Sequence, residues 1–269
     1  MQIYLSFLAA ALYLLSISIP GQRRVLTSML TASGWLMHGA ALWLTVFSQD
    51  ALRIGFAVML SAALWVSVLV CWLENRNFSL EGLRVLLMPH AALMALLPVF
   101  FPGNLIALAG KPLMFPWHVV VALLAYSTLT IAAFHAVIMT LQDKHLHKLR
   151  ASQQQAWLNA AIDRLPALLT MEKILFRLIV LGFVLLTLTV LSGVIFSEQV
   201  LGVVVRWDHK TLLSLLSWLL FAILLIGRQW RGWRGKTVLS FTLTGFLTLL
   251  LAYVGSRFVL EVLLHRSLT

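Results

Sequence analysis

The sequence predicts an all-α, polytopic membrane protein with about eight transmembrane helices. Of its 269 residues, 61% are hydrophobic and 11% are charged, whereas a soluble domain is about 45–50% apolar and about 25% charged. A helix needs roughly 20 mostly apolar residues to cross a bilayer, and the chain contains eight such segments. No polar stretch is long enough for an independent soluble core, so we expect one domain over residues 1–269.

The predicted spans follow one another along the whole chain. They are Gln2–Ile19, Val25–Phe47, Ile54–Leu73, Arg84–Phe101, Trp117–Leu141, Leu178–Phe196, Thr211–Gly227 and Thr237–Ser256. The first has no basic region before it and has Arg23 and Arg24 after it, so we expect a retained anchor rather than a signal peptide. The fourth contains Pro89 and Pro98, whose freed backbone groups neighbouring helices can satisfy.

Basic residues predict the orientation of these spans. The connections after spans one, three, five and seven carry 14 of the 20 Lys and Arg residues, and such residues accumulate on the cytoplasmic side. Both termini and residues 197–210 are therefore predicted to lie outside. Residues 142–170 form the one polar connection of any length, which we interpret as a cytoplasmic amphipathic or solvated helix closed by Pro166.

Composition and motifs exclude several classes of function. Cys71 is the single cysteine, so no intramolecular disulfide and no CxxCH site for covalent haem attachment is possible. The net charge of +11 comes from scattered residues rather than a basic run, which argues against nucleic acid as a partner. No catalytic triad, Walker loop, HExxH or nucleotide fingerprint is present. The lack of an internal repeat and of a deeply placed Asp or Glu argues against a coupled carrier.

Histidine is the residue type with the most chemistry to offer. Of the three histidines on the predicted outer face, His209 lies in the connection after span six; the other two are His118, which follows Trp117 at the outer end of span five, and His265, beyond span eight. If span eight continues as a helix past Ser256, the nine residues to His265 rise about 13 Å, so the two side chains can meet above the bundle. Two imidazoles facing each other suit the axial positions of a haem iron.

Other outer-face residues fit the same hypothesis. Trp117 and Trp207 can supply apolar walls for a macrocycle, and Arg206, Lys210 and Arg257 can pair with haem propionates. The alternative is that neighbouring helices simply satisfy the polar groups of such residues. We keep that interpretation for two histidines within spans, His90 and His135. We interpret His145 and His147, spaced i, i+2 in the polar connection, as solvated.

A family resemblance emerges in the last third of the chain. The segments RWDHKTLLSLLSW at 206–218, GWRGK at 232–236 and LAYVGSRFVL at 251–260 resemble the cytochrome c assembly protein family of the CcsA, CcmC and HemX type. Upstream, WHVVVALLAYSTLTIAA at 117–133 is similar to the histidine-bearing helix of that family, and GFVLLTLTVLSGVIF at 182–196 to its next helix. The small size and the connection at 142–170 resemble the YpjD-like branch of the bacterial inner membrane.

The resemblance implies roles for individual residues. His118 matches the first external haem ligand of the family, and His265 falls within about a residue of the second. His38, near the middle of span two, matches the first intramembrane histidine, so it is a candidate relay ligand. The second intramembrane histidine would fall at about Ile226, where this chain has no ligand.

The tryptophan-rich segment of the family is only partly kept. Trp207, Asp208 and Lys210 match its core, and His209 replaces the usual proline. Asp208 and Lys210 allow two interpretations: a surface pair worth less than about 1 kcal/mol, or, by resemblance, an Asp208 that anchors the loop over haem.

The resemblance implies a protein that binds haem b noncovalently and presents it at the outer face, to apocytochrome c or another membrane protein. Such handling would proceed by ligand exchange, so we assign no catalytic side chain. The alternatives are a haem-free accessory subunit of a membrane complex or transporter, and a carrier of small molecules.

Overall fold

The computed structural model describes residues 1–19, 23–48, 51–74, 81–107, 115–148, 165–201 and 207–258. Eight long helices make up most of these residues: α1 (Gln2–Ser18), α2 (Arg24–Val46), α3 (Phe56–Glu74), α4 (Glu81–Phe100), α5 (Phe115–Lys148), α6 (Leu168–Leu201), α7 (His209–Arg231) and α8 (Lys236–Leu250). A π-helical turn, Leu251–Gly255, continues α8 into the short helix α9, Ser256–Phe258. Each predicted span coincides with one long helix, so the all-α, polytopic fold class is confirmed.

Six of the helices, α3 to α8 with its π-helical turn, are long and apolar enough to cross a membrane. The helix α1 is apolar but has 17 residues, which is at the short end of the range for a span. The 23 residues of α2 include several Thr and Ser side chains and one His. Membrane crossing by α1 and α2, and the placement of both termini outside, stay predictions.

The helices pack as two groups. In the first, α1 contacts α2 and α4, and α3 contacts α2 and α4; in the second, α5 contacts α6 and α8, and α7 contacts α6 and α8. The groups meet where α3 packs on α5 and on the π-helical turn. One cluster of buried apolar side chains runs through both groups, and its fully buried members include Tyr13, Met88, Leu129, Leu175 and Phe221.

A pair of tryptophans fixes α2 against α3. The indole Nε1 of Trp35 donates to the carbonyl of Trp65 at 3.0 Å, and Nε1 of Trp65 donates to the carbonyl of Trp35 at 2.9 Å. The rings stack with centroids 4.8 Å apart and planes 6° apart. A Cβ at Gly39 would lie 2.9 Å from the Trp65 ring, so this close approach requires glycine.

A small antiparallel sheet, absent from the sequence-based prediction, joins two of the connections. Its strands are β1 (Phe47–Ser48), β2 (Ala51–Ile54) and β3 (Asn104–Ala107), in the order β1-β2-β3. The strands follow α2, precede α3 and follow α4, so these helix ends lie at one end of the bundle, which we call the sheet end. Leu52 and Ile54 face inward and pack with Met59 of α3.

The opposite end, which we call the turn end, is held together by Arg228 of α7. Its Nη1 donates to Oε1 of Glu172 on α6 and to the carbonyl of Trp233, both within 2.9 Å. The guanidinium also lies 4.5 Å from the ring centroid of Phe176. A Cβ at Gly227 would come 2.4 Å from the Trp233 ring. Arg228 therefore links three chain segments, a role that its position among basic interfacial residues did not suggest.

The polar connection predicted at 142–170 is helical at its start. Helix α5 continues to Lys148 and α6 begins at Leu168, so each has 34 residues and extends beyond its predicted span. Residues 149–164 lie outside the described residues. Gln142 Nε2 donates to the carbonyl of Pro166 at 3.0 Å, which ties the end of α5 to the start of α6.

Candidate functional site

A cavity of about 560 Å³ lies at the sheet end, between the first turns of α5 and α7. Its walls come from α5, α6, α7 and the π-helical turn, and side chains of the sheet and of α3 close one side. The lining is mostly apolar, with a few polar side chains: His118, Tyr126, Thr189, Asp208, Lys210, Thr211, Ser214 and Tyr253. This size and composition are typical of a site for a small organic ligand, for which about 300–1,000 Å³ is usual.

His118, in the first turn of α5, lies on the wall of this cavity. Its Nδ1 is 2.8 Å from Oγ of Ser192 on α6, and the same hydroxyl donates to the carbonyl of Thr189 at 3.1 Å. Because a serine has one hydroxyl proton, Nδ1–H of His118 is the donor in the shorter bond. The lone pair of the neutral ring then lies on Nε2, the atom that a metal would bind.

The backbone of α6 approaches this histidine closely. A Cβ built on Gly193 would stand 3.5 Å from Cε1 of His118, which is an ordinary contact distance. Because Gly193 has no side chain, the space beside the His118 imidazole remains part of the cavity, which Gly193 also lines.

The start of α7 forms the mouth of the cavity. Trp207 lines it with 70% of its surface exposed. Asp208 is the N-cap of α7: its Oδ1 accepts from Thr211 N at 2.9 Å and from Thr211 Oγ1 at 3.0 Å. Neither of the two interpretations offered for Asp208 included this cap, although an Asp before an apolar helical segment is a start signal.

The N-cap bonds set the ionisation of Asp208. Partial desolvation raises the pKa of this carboxyl, but the two bonds from Thr211 and the positive charge of Lys210 lower it by more. The pKa of Asp208 therefore lies below its ordinary value of 3.8. A negative charge is thus maintained at the mouth, next to the positive end of the helix dipole.

Two tyrosines, Tyr126 and Tyr253, line the cavity, and sequence reasoning missed both. Tyr126 is 5% exposed, and its hydroxyl makes no hydrogen bond to the described residues. Tyr253 belongs to the π-helical turn, an element that often marks functional sites. A tyrosine within an apolar span is a usable signal, because a buried hydroxyl normally needs a partner.

The other predicted site residues are not all brought to this cavity. Trp117 adjoins His118 but is 65% exposed and is not among the lining residues. His38 lies in the first helix group and is 1% exposed. His265 lies outside the described residues, and of Arg257 only the backbone, in α9, is described.

Two further histidines have partners on their own helices. His90 Nδ1 is 2.8 Å from the carbonyl of Leu86, and its ring stands edge-on to Phe134. His135 Nδ1 is 3.1 Å from the carbonyl of Ile131. Both bonds go to a carbonyl of the histidine's own helix, so satisfaction of these residues by neighbouring helices stays a prediction. Within the described part of the chain, no three side chains of His, Cys, Asp or Glu are grouped as a metal site.

Comparison with known proteins places the fold in a family. The family described as Cytochrome C assembly protein matches residues 4–264, nearly the whole chain. The chain belongs to this cytochrome c assembly protein family. The resemblance inferred from the sequence segments is therefore confirmed, and the matched range includes the whole cavity.

Individual members of the family support the assignment. Inner membrane protein YpjD of Escherichia coli (strain K12) is 30% identical over 216 residues, which cover 76% of this chain and 75% of that protein. Cytochrome c biogenesis protein CcsA of Chlamydomonas reinhardtii is 30% identical over 144 residues, or 54% of this chain and 38% of that protein. CcsA of Guillardia theta is 28% identical over 150 residues, or 53% and 50%. No solved structure matches the chain significantly.

Proposed function

We propose that this cytochrome c assembly protein binds haem b noncovalently in the cavity at the sheet end and passes it on by ligand exchange. The observation that carries the proposal is His118, whose imidazole lies on an apolar cavity wall with its Nδ1 held 2.8 Å from Ser192. We also propose that the sheet end faces outward from a bacterial inner membrane, where apocytochrome c or another membrane protein receives the haem. His265 is the proposed second axial ligand, on family resemblance.

The residues present fit this ligand. A haem is a flat, largely apolar ring with an iron that accepts imidazole and with two anionic propionates, and it supplies an iron centre that exchanges axial ligands. The cavity offers apolar walls for the ring and one oriented imidazole. Lys210 lines the mouth, where an ammonium group can pair with a carboxylate.

The protein's own contribution is orientation and solvent exclusion. Ser192 accepts the Nδ1–H bond of His118 and so fixes the orientation and tautomer of the ring, as the outer partners of ligating histidines generally do. Trp207, at the mouth, places an indole between the cavity and the aqueous phase, a position that suits its amphipathic ring. No bond-making step is assigned to a side chain.

The test is an absorbance spectrum of the detergent-purified protein, before and after addition of haemin. We expect a Soret band with the sharp reduced bands of imidazole ligation, and loss of most of the haem in His118→Ala. Added imidazole should restore binding to this variant, because it fits the space that the side chain leaves. His90→Ala is the matched control and should retain its haem. A wild type that shows no Soret band and takes up no haemin contradicts the proposal.

One observation favours a second candidate, an accessory subunit of a membrane complex. His90 lies in the middle of α4 and is exposed on the surface of the bundle, whereas ionisable side chains within spans almost always face protein or a water-filled cavity. A partner membrane protein covering α4 would bury it. Co-purification of a stoichiometric partner with the wild type, weakened in His90→Leu, would support this function, and retained haem would show that both functions coexist.

A further inference from the structure

We infer that His38 is the centre of a structural clasp that joins α1, α2 and α3, and that this chain therefore binds no second haem within the first helix group. The family resemblance implies the opposite role, an intramembrane haem ligand. The predicted stoichiometry of one haem per chain rests on the proposed function, whereas the clasp itself does not.

The clasp consists of three buried polar side chains from three helices. Tyr13 of α1 places its hydroxyl 3.3 Å from Nδ1 of His38 on α2, and Nε2 of the same ring is 2.8 Å from Oγ of Ser61 on α3. Tyr13 and Ser61 are fully buried, and His38 is 1% exposed. A single imidazole thus bridges two helices that flank its own.

Both ring nitrogens of His38 are used in these bonds. A neutral imidazole has one donor and one acceptor nitrogen, and iron would have to replace one of the two protein partners. Replacing either bond leaves a hydroxyl buried among apolar side chains without its partner, which is costly at such depth. The arrangement satisfies all three groups without a ligand.

The space beside His38 is filled by protein. The Tyr13 ring stands edge-on to the imidazole, with centroids 5.9 Å apart and planes 75° apart. On its other side the ring lies against the backbone of α2, since a Cβ at Gly34 would come 3.0 Å from Tyr13 Cδ1. Three alanines of α1 and α2, Ala9, Ala10 and Ala41, are buried, and such small side chains allow helices to pack closely. A macrocycle at His38 would have to displace the Tyr13 ring.

The second half of an intramembrane site is also missing. By the family resemblance its other histidine falls at about Ile226, which has no ligand atom and is 49% exposed on α7. Helix α7 packs on α6, α8 and the π-helical turn, whereas α2 packs on α1 and α3. Two independent features, the occupied imidazole and the isoleucine, therefore point to the same conclusion.

The clasp is tested first by stability, without any haem. The variants are His38→Ala, Tyr13→Phe and their combination, with His90→Ala as the matched histidine control on a bundle surface. We expect His38→Ala to lower the midpoint of thermal denaturation in detergent by at least about 2 °C. Tyr13→Phe should lower it by less, and the double variant should lose less than the sum. His90→Ala removes one bond within α4 and one ring contact of an exposed side chain, so it should lower the midpoint by less than His38→Ala.

Failure to fold in His38→Ala would not end the test, because Tyr13→Phe and Ser61→Ala conserve volume and each removes one hydroxyl of the clasp. A midpoint that both leave unchanged, or losses that add fully in the double variant, would overturn the clasp.

Haem stoichiometry tests the second part of the inference. Haem and chain concentrations are measured after saturation of wild type and Tyr13→Phe with haemin and removal of the excess. We expect one haem per chain in both proteins, with identical spectra. A wild-type ratio of two, falling to one in His38→Ala, would show that His38 is a ligand and sink the inference. A wild type without haem would contradict the proposed function alone, and the stability comparison would still decide the clasp.

Discussion

Removal of the Ser192 hydroxyl is the perturbation that separates an oriented ligand from a merely nearby histidine. In Ser192→Ala the imidazole of His118 remains but loses its 2.8 Å hydrogen bond. Partners of this kind typically contribute 10–100-fold to the affinity of the metal that the histidine binds. We therefore expect haem to dissociate about 10–100 times faster, equivalent to roughly 1.4–2.8 kcal/mol of binding free energy.

The assay is transfer of haem from the purified protein to an excess of a tighter-binding apoprotein, followed at the Soret band. Ser127→Ala is the matched control: Ser127 also lies in this half of the bundle, is fully buried, and donates only to the carbonyl of Leu123 in its own helix. Ser192→Thr keeps a hydroxyl and should restore slow dissociation. The reasoning is refuted if Ser192→Ala and Ser127→Ala both release haem at the wild-type rate while His118→Ala releases it rapidly.

Three further predictions concern stability and topology. Asp208→Ala should lower the free energy of unfolding at pH 7 by about 1 kcal/mol, because it removes a helix cap. The folded pKa of Asp208 lies below 3.8, so the difference in unfolding free energy between variant and wild type should shrink as the pH falls below that value. Denaturation series from pH 7 to pH 3 measure this difference. Gly227→Ala should lower the free energy of unfolding by about 1–3 kcal/mol, because the added methyl group meets the Trp233 indole and overpacking has this magnitude. Gly193→Ala is the control, because a Cβ there lies at an ordinary contact distance. Equal melting midpoints for the two variants would contradict the steric argument. In a cysteine-free background, Asn104→Cys should react with a membrane-impermeant thiol reagent from outside and Gln229→Cys only after permeabilisation; the reverse pattern would invert the topology.

The helices were predictable because a run of about 20 apolar residues is a strong and local signal. Their ends were not, since polar composition marks where the bilayer ends rather than where the helix ends. Residues 142–148 are an example: their polar composition predicted a separate connection, but they continue helix α5. The sheet was missed because strands of two to four residues carry too few side chains to show a period.

The candidate site shows the same division between local and distant information. The sequence placed His118 at the end of a span and Trp207 near it, and the structure brings both to one cavity. Ser192, the hydrogen-bond partner of His118, lies 74 residues away along the chain, and no local pattern marks such a pairing. The N-cap role of Asp208, by contrast, is a local signal, because this residue directly precedes an apolar helical segment.

His38 illustrates the limit of transferring roles between relatives. Its position in the middle of α2 was predictable, and the role of an intramembrane ligand followed from resemblance. What decides its chemistry is the pair of side chains that meet it, 25 and 23 residues away along the chain. Those contacts exist only once α1 and α3 have packed on α2.

The tryptophan pair between α2 and α3 has a mechanical consequence. Each indole N–H reaches the carbonyl of the opposite tryptophan, so a slide of α2 along α3 stretches both bonds and offsets the stacked rings together. The pair therefore couples the position of α2 to that of α3, whose Met59 lines one side of the cavity. The tryptophan pair thus contributes to the position of one cavity wall although neither ring lines the cavity.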